Sequence, residues 1–221
     1  MSSWLLYACR MSSIGKPVEF FDWNHAYLSH RDQLPHVRQT GVAYFVTFRL
    51  FDSLPAEHVA QWRRERDEYV WHNLPPHTAE QERMIRSLLS VRIERYLDGG
   101  AGCCVLRETA AQNVVEELLR ADDGQRYYLG DFVVMPNHVH VMVLPASGFE
   151  LSSLMKSWKG ASSRGINQHL GRHGTLWQEE SFDHIPRDPE AMRRIGQYIR
   201  DNPKNLPAGW SRVGHGMLGS Y

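Results

Sequence analysis

Alternation of apolar and polar positions is clearest over Val133–Leu144, a stretch with the sequence VVMPNHVHVMVL. Because successive side chains of a β-strand point to opposite faces of its sheet, this alternation predicts a strand. Pro136-Asn137 predicts a tight turn from a preceding strand, so the two strands form a hairpin. One face of the second strand carries only valines, at positions 139, 141 and 143. The opposite face carries His138, His140, Met142 and Leu144.

The same pattern predicts further strands and helices on both sides of this hairpin. Aromatic and β-branched or apolar runs predict strands over Tyr44–Leu50, Cys103–Leu106 and Tyr127–Met135. Apolar positions at helical spacing predict helices over about 79–96, 109–120 and 189–201. Further helices are predicted over about 56–72, which is heavily charged, and over 151–169, which follows Gly148. Strands mixed with helices around a hairpin favour a single α+β domain, a ferredoxin-like antiparallel sheet covered by helices.

Composition adds limits to this picture. The 221 residues are 42% hydrophobic and 23% charged, as in an ordinary globular protein. Basic and acidic residues number 25 each, so the formal net charge is zero and any basic surface for nucleic acid must be local. The three cysteines show no disulfide framework and indicate reduced cytosolic thiols. No apolar run approaches the ~20 residues of a membrane span, so we expect no membrane partner.

One local basic stretch is present. Between Leu151 and Gln178 there is no acidic residue. The basic residues there are Lys156, Lys159, Arg164 and Arg172. This charge pattern fits either a solvated helix face or a surface that holds phosphates.

Two pairs of residues are candidates for chemistry, and each also has an ordinary structural explanation. His138 and His140 lie one pleat apart, which suits either a divalent metal ion or two hydrogen-bonded histidines in a strand. Tyr198 and Asn202 lie four residues apart on the last helix and therefore share one face. Without further context, they are a tyrosine at the edge of the core and a helix C-terminal cap.

Motifs in a fixed order along the chain resemble one family. They are Leu34-Pro35-His36, the strand Tyr44–Leu50, Met135-Pro136-Asn137-His138-Val139-His140, Ser157-Trp158-Lys159, Trp177, and Tyr198-Ile199 followed by Asn202-Pro203. Together they resemble the REP-associated tyrosine transposases, of the single-tyrosine (Y1) group in the HUH single-strand transposase superfamily, named for its His-hydrophobic-His motif. The resemblance covers residues 34–206 as the catalytic domain. It leaves 1–33 as an irregular N-terminal arm, in which Met11 is an alternative start, and 207–221 as a C-terminal tail.

The resemblance implies roles for particular residues. His138 and His140 match the histidine pair and would bind Mg²⁺ or Mn²⁺, with Asn202 as the polar third ligand. Tyr198 matches the single nucleophilic tyrosine. Because imidazole nitrogen suits Mn²⁺ better than Mg²⁺, we expect stronger activity with Mn²⁺.

The basic helix would hold the DNA strand. Lys156, Lys159 and Arg164 would contact phosphates. Trp158 and Trp177 fit base stacking and core packing equally well. His184 and Asp183 are expected at the surface or in hydrogen bonds, and not as metal ligands.

The implied activity is that of a metal-dependent endonuclease and strand transferase. It would act on single-stranded REP-type hairpin DNA through a covalent 5′-phosphotyrosine, as a monomer or homodimer in the cytoplasm, associated with the nucleoid. The alternative is a catalytically silent protein that binds hairpin DNA or RNA. A purely structural protein would bind neither hairpins nor Mn²⁺. Histidine-triad hydrolases need a third alternating histidine, and Met142 occupies that position.

The chain departs from the family pattern in two ways. Lys204-Asn205-Leu206-Pro207 replaces the usual small apolar residue and glycine after Asn-Pro. The net charge is also lower than expected for a DNA-processing enzyme. Both differences concern DNA affinity and specificity, and neither affects the four proposed site positions.

Overall fold

The computed structural model describes residues 18–22, 24, 26–31 and 35–219. Residues 1–17 of the predicted arm, including Met11, and the last two residues of the predicted tail lie outside these ranges. Leu34 of the early motif is also outside them.

The described residues form strands and helices in mixed order along the chain. The strands are β1 Leu28–Arg31, β2 Pro35–Arg38, β3 Tyr44–Arg49, β4 Tyr127–Val134, β5 His138–Pro145, β6 Phe182–His184 and β7 Arg212–His215. The α-helices are α1 Ala56–His72, α2 Ala79–Leu88, α3 Ser90–Asp98, α4 Thr109–Ala121, α5 Leu151–His169 and α6 Pro189–Asp201. Short 3₁₀ helices span Val105–Arg107 and Asn202–Asn205.

Five of the strands form one antiparallel sheet in the order β6-β3-β5-β4-β7. Helix α4 lies between β3 and β4 in the chain, and α5 lies between β5 and β6. This βαββαβ order with β3 and β5 central is the ferredoxin-like arrangement, extended at one edge by β7. The predicted α+β fold and the β4–β5 hairpin are therefore confirmed.

The two faces of the sheet are covered by different helices. The valine face of β5 packs with α4 and α5 into the largest core cluster, which includes Val141, Leu119 and Leu154, all nearly or fully buried. The opposite face packs with α6 through Met142, Met192 and Ile199. This second cluster is smaller, and it leaves room for polar side chains at the end of β5 where the histidines lie.

Helices α1, α2 and α3 pack against one another, and side chains of α1, of α3 and of the segments before them form a third cluster outside these two cores. Leu54, Val59, Leu89, Ile93 and Leu97 are its buried members. The sequence predicted one helix over 79–96, but the chain leaves helical geometry at Leu89, with φ −127° and ψ −69°. Leu89 is buried in the cluster at this break, and α3 begins at the next residue.

Other predicted elements also differ from the structure. Cys103–Leu106, predicted as a strand, instead enters a 3₁₀ helix after Cys104 adopts a left-handed φ of 50°. Val105 and Leu106 are buried in the largest core cluster, so their apolar pattern reflects core packing and not strand pairing. In the arm, Leu28–Arg31 pairs with β2, and the segment around Phe182–His184 forms the edge strand β6.

The predicted loop after Pro207 contains the strand β7, which pairs with β4. Gly214 of β7 lies so close to Phe132 that an added Cβ would be 2.5 Å from the ring. Glycine and alternating exposed positions gave this segment the composition of a loop, although the backbone completes the edge of the sheet.

Candidate active site

The two histidines of β5 lie on the α6 face of the sheet with their rings turned toward each other. The Nε2 atoms of His138 and His140 are 3.0 Å apart, and both side chains are fully buried. In the pairing of β3 with β5, Thr47 is opposite His140 and Arg49 is opposite His138. Period-two alternation therefore places four polar side chains on one buried face.

Asn137 fixes the orientation of His138. Its Nδ2 donates to the carbonyl oxygens of Leu97 at 3.1 Å and Ala101 at 2.9 Å, so its Oδ1 must face the ring of His138. That oxygen can only accept, so His138 Nδ1, 2.7 Å away, carries the proton and donates it. The Nε2 atom of His138 then presents its lone pair toward His140. The same amide also ties the end of α3 to the turn before β5.

Thr47 holds the second ring. Its hydroxyl oxygen is 2.7 Å from Nδ1 of His140, and both groups are buried. A hydroxyl can donate or accept, so it fits either tautomer of His140. When it accepts, Nε2 of His140 also presents its lone pair, and the two nitrogens converge as metal ligands do.

Burial keeps both imidazoles neutral. It lowers the pKa of His138 to about 3, with the charge of Arg49 adding to the effect. Burial, together with His138, lowers the pKa of His140 well below its usual value. Neutral imidazole is the form that binds metal ions, so the pair is in its ligand form at physiological pH.

Tyr198 approaches the histidines from α6. Its hydroxyl oxygen is 3.4 Å from Nε2 of His140, and its ring packs near Phe45. Asp188 caps the start of α6 by accepting from the backbone amide of Ala191. Arg200 near the end of the helix donates to buried Asp131 of β4 at 2.6 Å. The helix is thus held at both ends with the phenol directed at the histidine pair.

Carboxylates of α3 border the same site. Oδ1 of Asp98 is 3.9 Å from Nε2 of His138. One ligand atom each from Asp98, His138 and His140 lie within 4.8 Å of one another. Burial, with the charge of Asp98, raises the pKa of Glu94 to about 7. Burial first, and then Glu94 and Asp98, raise the pKa of Tyr198 above its usual value.

Asn202 lies beside both groups, one turn after Tyr198. Hydrogen bonding by its side chain opposes the rise in the pKa of Asp98 and of Tyr198. Its Oδ1 is buried and has no hydrogen-bond partner among the residues that the structure describes. A buried carbonyl oxygen without a partner costs free energy, and a cation would satisfy it.

These side chains fit a divalent cation. Two imidazole nitrogens and a carboxylate lie close enough to share one ion, and the unpartnered amide oxygen of Asn202 lies beside them. The sequence-predicted candidates His138, His140, Tyr198 and Asn202 come together at this place.

The three predicted DNA-binding residues differ in solvent exposure. Lys156 and Arg164 are exposed on α5. Lys159 is half-buried, and its Nζ donates to the carbonyl oxygens of Gln178 at 3.0 Å and Glu179 at 2.9 Å. Burial lowers the pKa of Lys159 to about 8, and Arg49 adds to this effect.

Trp158 and Trp177 both belong to the core. They are 4% and 5% exposed, and each indole N–H has a partner, Tyr127 for Trp158 and Ser162 for Trp177. Of their two possible roles, the structure therefore supports packing. Asp183 pairs with Arg38 at 2.6 Å, in line with a hydrogen-bonding role.

Sequence reasoning missed Asp98, Glu94, Thr47 and Asn137 as members of the site. Glu94 and Asp98 are four residues apart on a predicted helix, which indicated a shared face but not what that face contacts. Thr47 could have been inferred once β3 was paired with β5. That pairing was not part of the sequence prediction.

Three comparisons show which known proteins this chain is similar to. Residues 105–202 match the model of the family described as IS200-like transposase. An uncharacterized protein of Haemophilus influenzae is 21% identical over 160 residues, covering 52% of this chain and 87% of that protein. The solved structure of a REP-associated tyrosine transposase bound to a REP hairpin is 14% identical, with a TM-score of 0.40. That alignment covers 83% of this chain and 73% of the other.

Helices α1–α3 lie before the matched residues 105–202, so Asp98 and Glu94 reach the site from outside the matched segment. Among the described residues, no helix is long and apolar enough to cross a membrane.

Proposed function

We propose that this protein is a metal-dependent endonuclease and strand transferase for single-stranded DNA, because residues 105–202 match the model of the IS200-like transposase family. Tyr198 is its nucleophile. The observation that supports this proposal most strongly is the 3.4 Å approach of the Tyr198 hydroxyl to Nε2 of His140, in a site that also holds His138 and Asp98. A phenol next to a metal-type ligand set is the arrangement that attack on a phosphodiester requires.

His138, His140 and Asp98 would hold a divalent cation, with the Oδ1 of Asn202 as a further ligand. When bound, the cation supplies positive charge for the phosphate oxygens. Asn137 and Thr47 keep the imidazoles oriented. The mixed donor set supports higher activity with Mn²⁺ than with Mg²⁺.

Tyr198 attacks the phosphorus of a DNA phosphodiester in this mechanism. The bond from Oη to phosphorus forms as the bond from phosphorus to the 3′ oxygen breaks. The phenol loses its proton and the released 3′ oxygen gains one, so the step is balanced without an added reactant. The 5′ phosphate stays on Tyr198, and attack by another 3′-OH reverses the step and joins strands.

The proposed substrate is a REP-type single-stranded hairpin. Its support is the resemblance of the ordered motifs to the REP-associated tyrosine transposases, together with the exposed basic side chains of Lys156 and Arg164. These side chains can contact the backbone of a single strand without reading its sequence.

The test is incubation with labelled hairpin DNA from the flanks of the protein's own gene, followed by a denaturing gel. We expect a covalent protein–DNA band with Mn²⁺, a weaker one with Mg²⁺ and none with EDTA. Tyr198→Phe removes the attacking oxygen and should abolish the band, whereas Tyr69→Phe on α1 should not. Cleavage that persists in Tyr198→Phe would identify water as the nucleophile and overturn the mechanism. Hairpin binding without cleavage under all conditions would instead support the silent binding protein.

A further inference from the structure

Arg49 lies on the face of the sheet that carries His138 and His140, here called the site face, and it has no role in the proposed mechanism. It is the last residue of β3 and lies directly opposite His138 in the pairing of β3 with β5. Opposed residues of an antiparallel pair place their side chains on the same face. Arg49 therefore projects from the sheet on the side of the histidine pair, one strand away from the proposed cation ligands.

Two of the three nitrogens of the buried Arg49 guanidinium lack hydrogen-bond partners among the described residues. The residue is 3% exposed, and its Nε and Nη1 atoms have no hydrogen-bond partner in the part of the chain that the structure describes. A buried charge without hydrogen bonds costs several kcal/mol, and a guanidinium stays protonated in place of neutralising. This cost is removed if an anion binds there.

Other cationic groups surround the same place. Burial and then the positive charge of Arg49 lower the pKa of Lys159. The positive charge of Arg63 likewise contributes to a lowered pKa of Arg49, after burial. Glu180 provides the opposing negative charge, and it already contacts Arg63 at 3.4 Å. Glu179 adds a second carboxylate near Lys159, so three cationic groups face two carboxylates. This leaves a local positive excess beside His138, in a chain whose formal net charge is zero.

We propose that Arg49 is a phosphate-binding residue that holds a backbone phosphate of the DNA strand next to the cation site. A guanidinium donates several N–H groups in one plane, which matches the oxygens of a phosphodiester. The DNA identity of the ligand rests on the proposed function, but binding of phosphate by Arg49 does not depend on cleavage.

Because Arg49 is buried, a phosphate can reach it only if the residues that shield it from solvent move. Arg63 lies on α1 and Glu180 lies just before β6, so their contact joins two elements that flank Arg49. Helix α1 packs with α2 and α3 outside the main core, and their cluster touches the sheet through Phe182 of the edge strand β6. A shift of α1 is therefore compatible with an intact sheet.

The test uses Arg49→Gln and the exposed control Arg83→Gln on α2, both in EDTA so that no cleavage occurs. The probes are inorganic phosphate, followed by thermal shift, and a twelve-nucleotide oligothymidylate, followed by fluorescence anisotropy. Losing charged hydrogen bonds to a phosphate should weaken oligothymidylate binding about tenfold or more. The slope of log affinity against log salt should fall by about 0.7, which corresponds to one lost phosphate contact on a single strand. Arg83→Gln should change neither quantity.

Stability separates this role from a structural one. Removing an unpartnered buried charge should leave the Tm without phosphate unchanged or higher, and the phosphate-dependent rise in Tm should disappear. A lower Tm for Arg49→Gln with an unchanged salt slope would overturn the proposal, as would an unchanged response to phosphate. If the full protein never forms a covalent adduct but its phosphate binding still depends on Arg49, the nuclease mechanism fails and this inference stands.

Discussion

The two faces of the central sheet share the same strands but differ in what they bury. On one face, Val139, Val141 and Val143 meet the long helices α4 and α5 in a continuous apolar core. On the other face, polar side chains are buried just as deeply. Thr47, Arg49, Asp131, His138 and His140 are all 3% exposed or less. Alternation along β3 and β5 therefore encodes the fold on one side and the chemistry on the other.

The free energy of burying side chains also differs between the two faces. Apolar burial on the valine face stabilises the fold without needing specific partners. On the site face, each polar group needs a partner, and Arg49 and Asn202 retain buried atoms for which the described residues provide none. Buried polar atoms that lack hydrogen-bond partners on one face indicate that a bound ligand supplies those partners. Substitutions at neighbouring residues of β5 should therefore alter stability and function separately.

Replacing His140 by Ala is the strongest test of this separation. We expect Mn²⁺ affinity to be lost and covalent adduct formation to fall on the order of 10³-fold or more, because the variant lacks a central ligand. The fold should persist, since the core on the valine face is unchanged. Isothermal titration with Mn²⁺, the adduct gel and circular dichroism measure the three effects. The control is His215→Ala on the exposed edge strand β7, and a variant that unfolds would show that the faces are not independent.

Replacing Val141 by Ala should have the opposite signature. Removing two buried methyl groups lowers the free energy of unfolding by about 2–3 kcal/mol, including the cavity that remains. Urea denaturation measures this loss, and Val213→Ala on β7, which is 42% exposed, should cost much less. Mn²⁺ affinity per folded molecule should stay at the wild-type level. A tenfold weaker affinity would contradict the separation, because Val141 lies next to His140 but faces away from it.

The sequence alone predicted the elements with strong periodicity. Strand β5, its turn and helix α6 were predicted within a residue or two, because alternation and capping residues determine them locally. Elements that depend on distant partners were missed. Edge strand β7 is set by its pairing with β4, and the position of Leu89 is set by the cluster of α1–α3. Neither pairing nor packing is encoded in a local pattern.

The site shows the same division between local and distant information. His138, His140, Tyr198 and Asn202 were predicted because motif spacing and family resemblance identify them. Asp98 was not, since its approach to His138 depends on how α3 packs and on the two hydrogen bonds from Asn137. The predicted set of ligands with Asn202 stays a prediction, and the structure adds Asp98 as a candidate beside it.

We expect the smallest effect, a pH-dependent change in the free energy of unfolding, from Glu94→Gln. This substitution removes one of the two carboxylates of α3 that border the site. The carboxyl of Glu94 has its pKa raised from 4.5 to about 7, so the folded protein binds its proton more tightly than the unfolded chain does. Its stabilising contribution is therefore complete below pH 4.5 and is lost as the pH rises through about 7.

Glutamine cannot ionise, so its advantage over glutamate should grow from pH 5 to pH 8, to about 1–2 kcal/mol after allowance for partial exposure. Urea denaturation in EDTA at both pH values measures the difference, with exposed Glu68→Gln on α1 as the control. An advantage that is equal at the two pH values would show that Glu94 is hydrated, and that the site face carries less electrostatic cost than its burial implies.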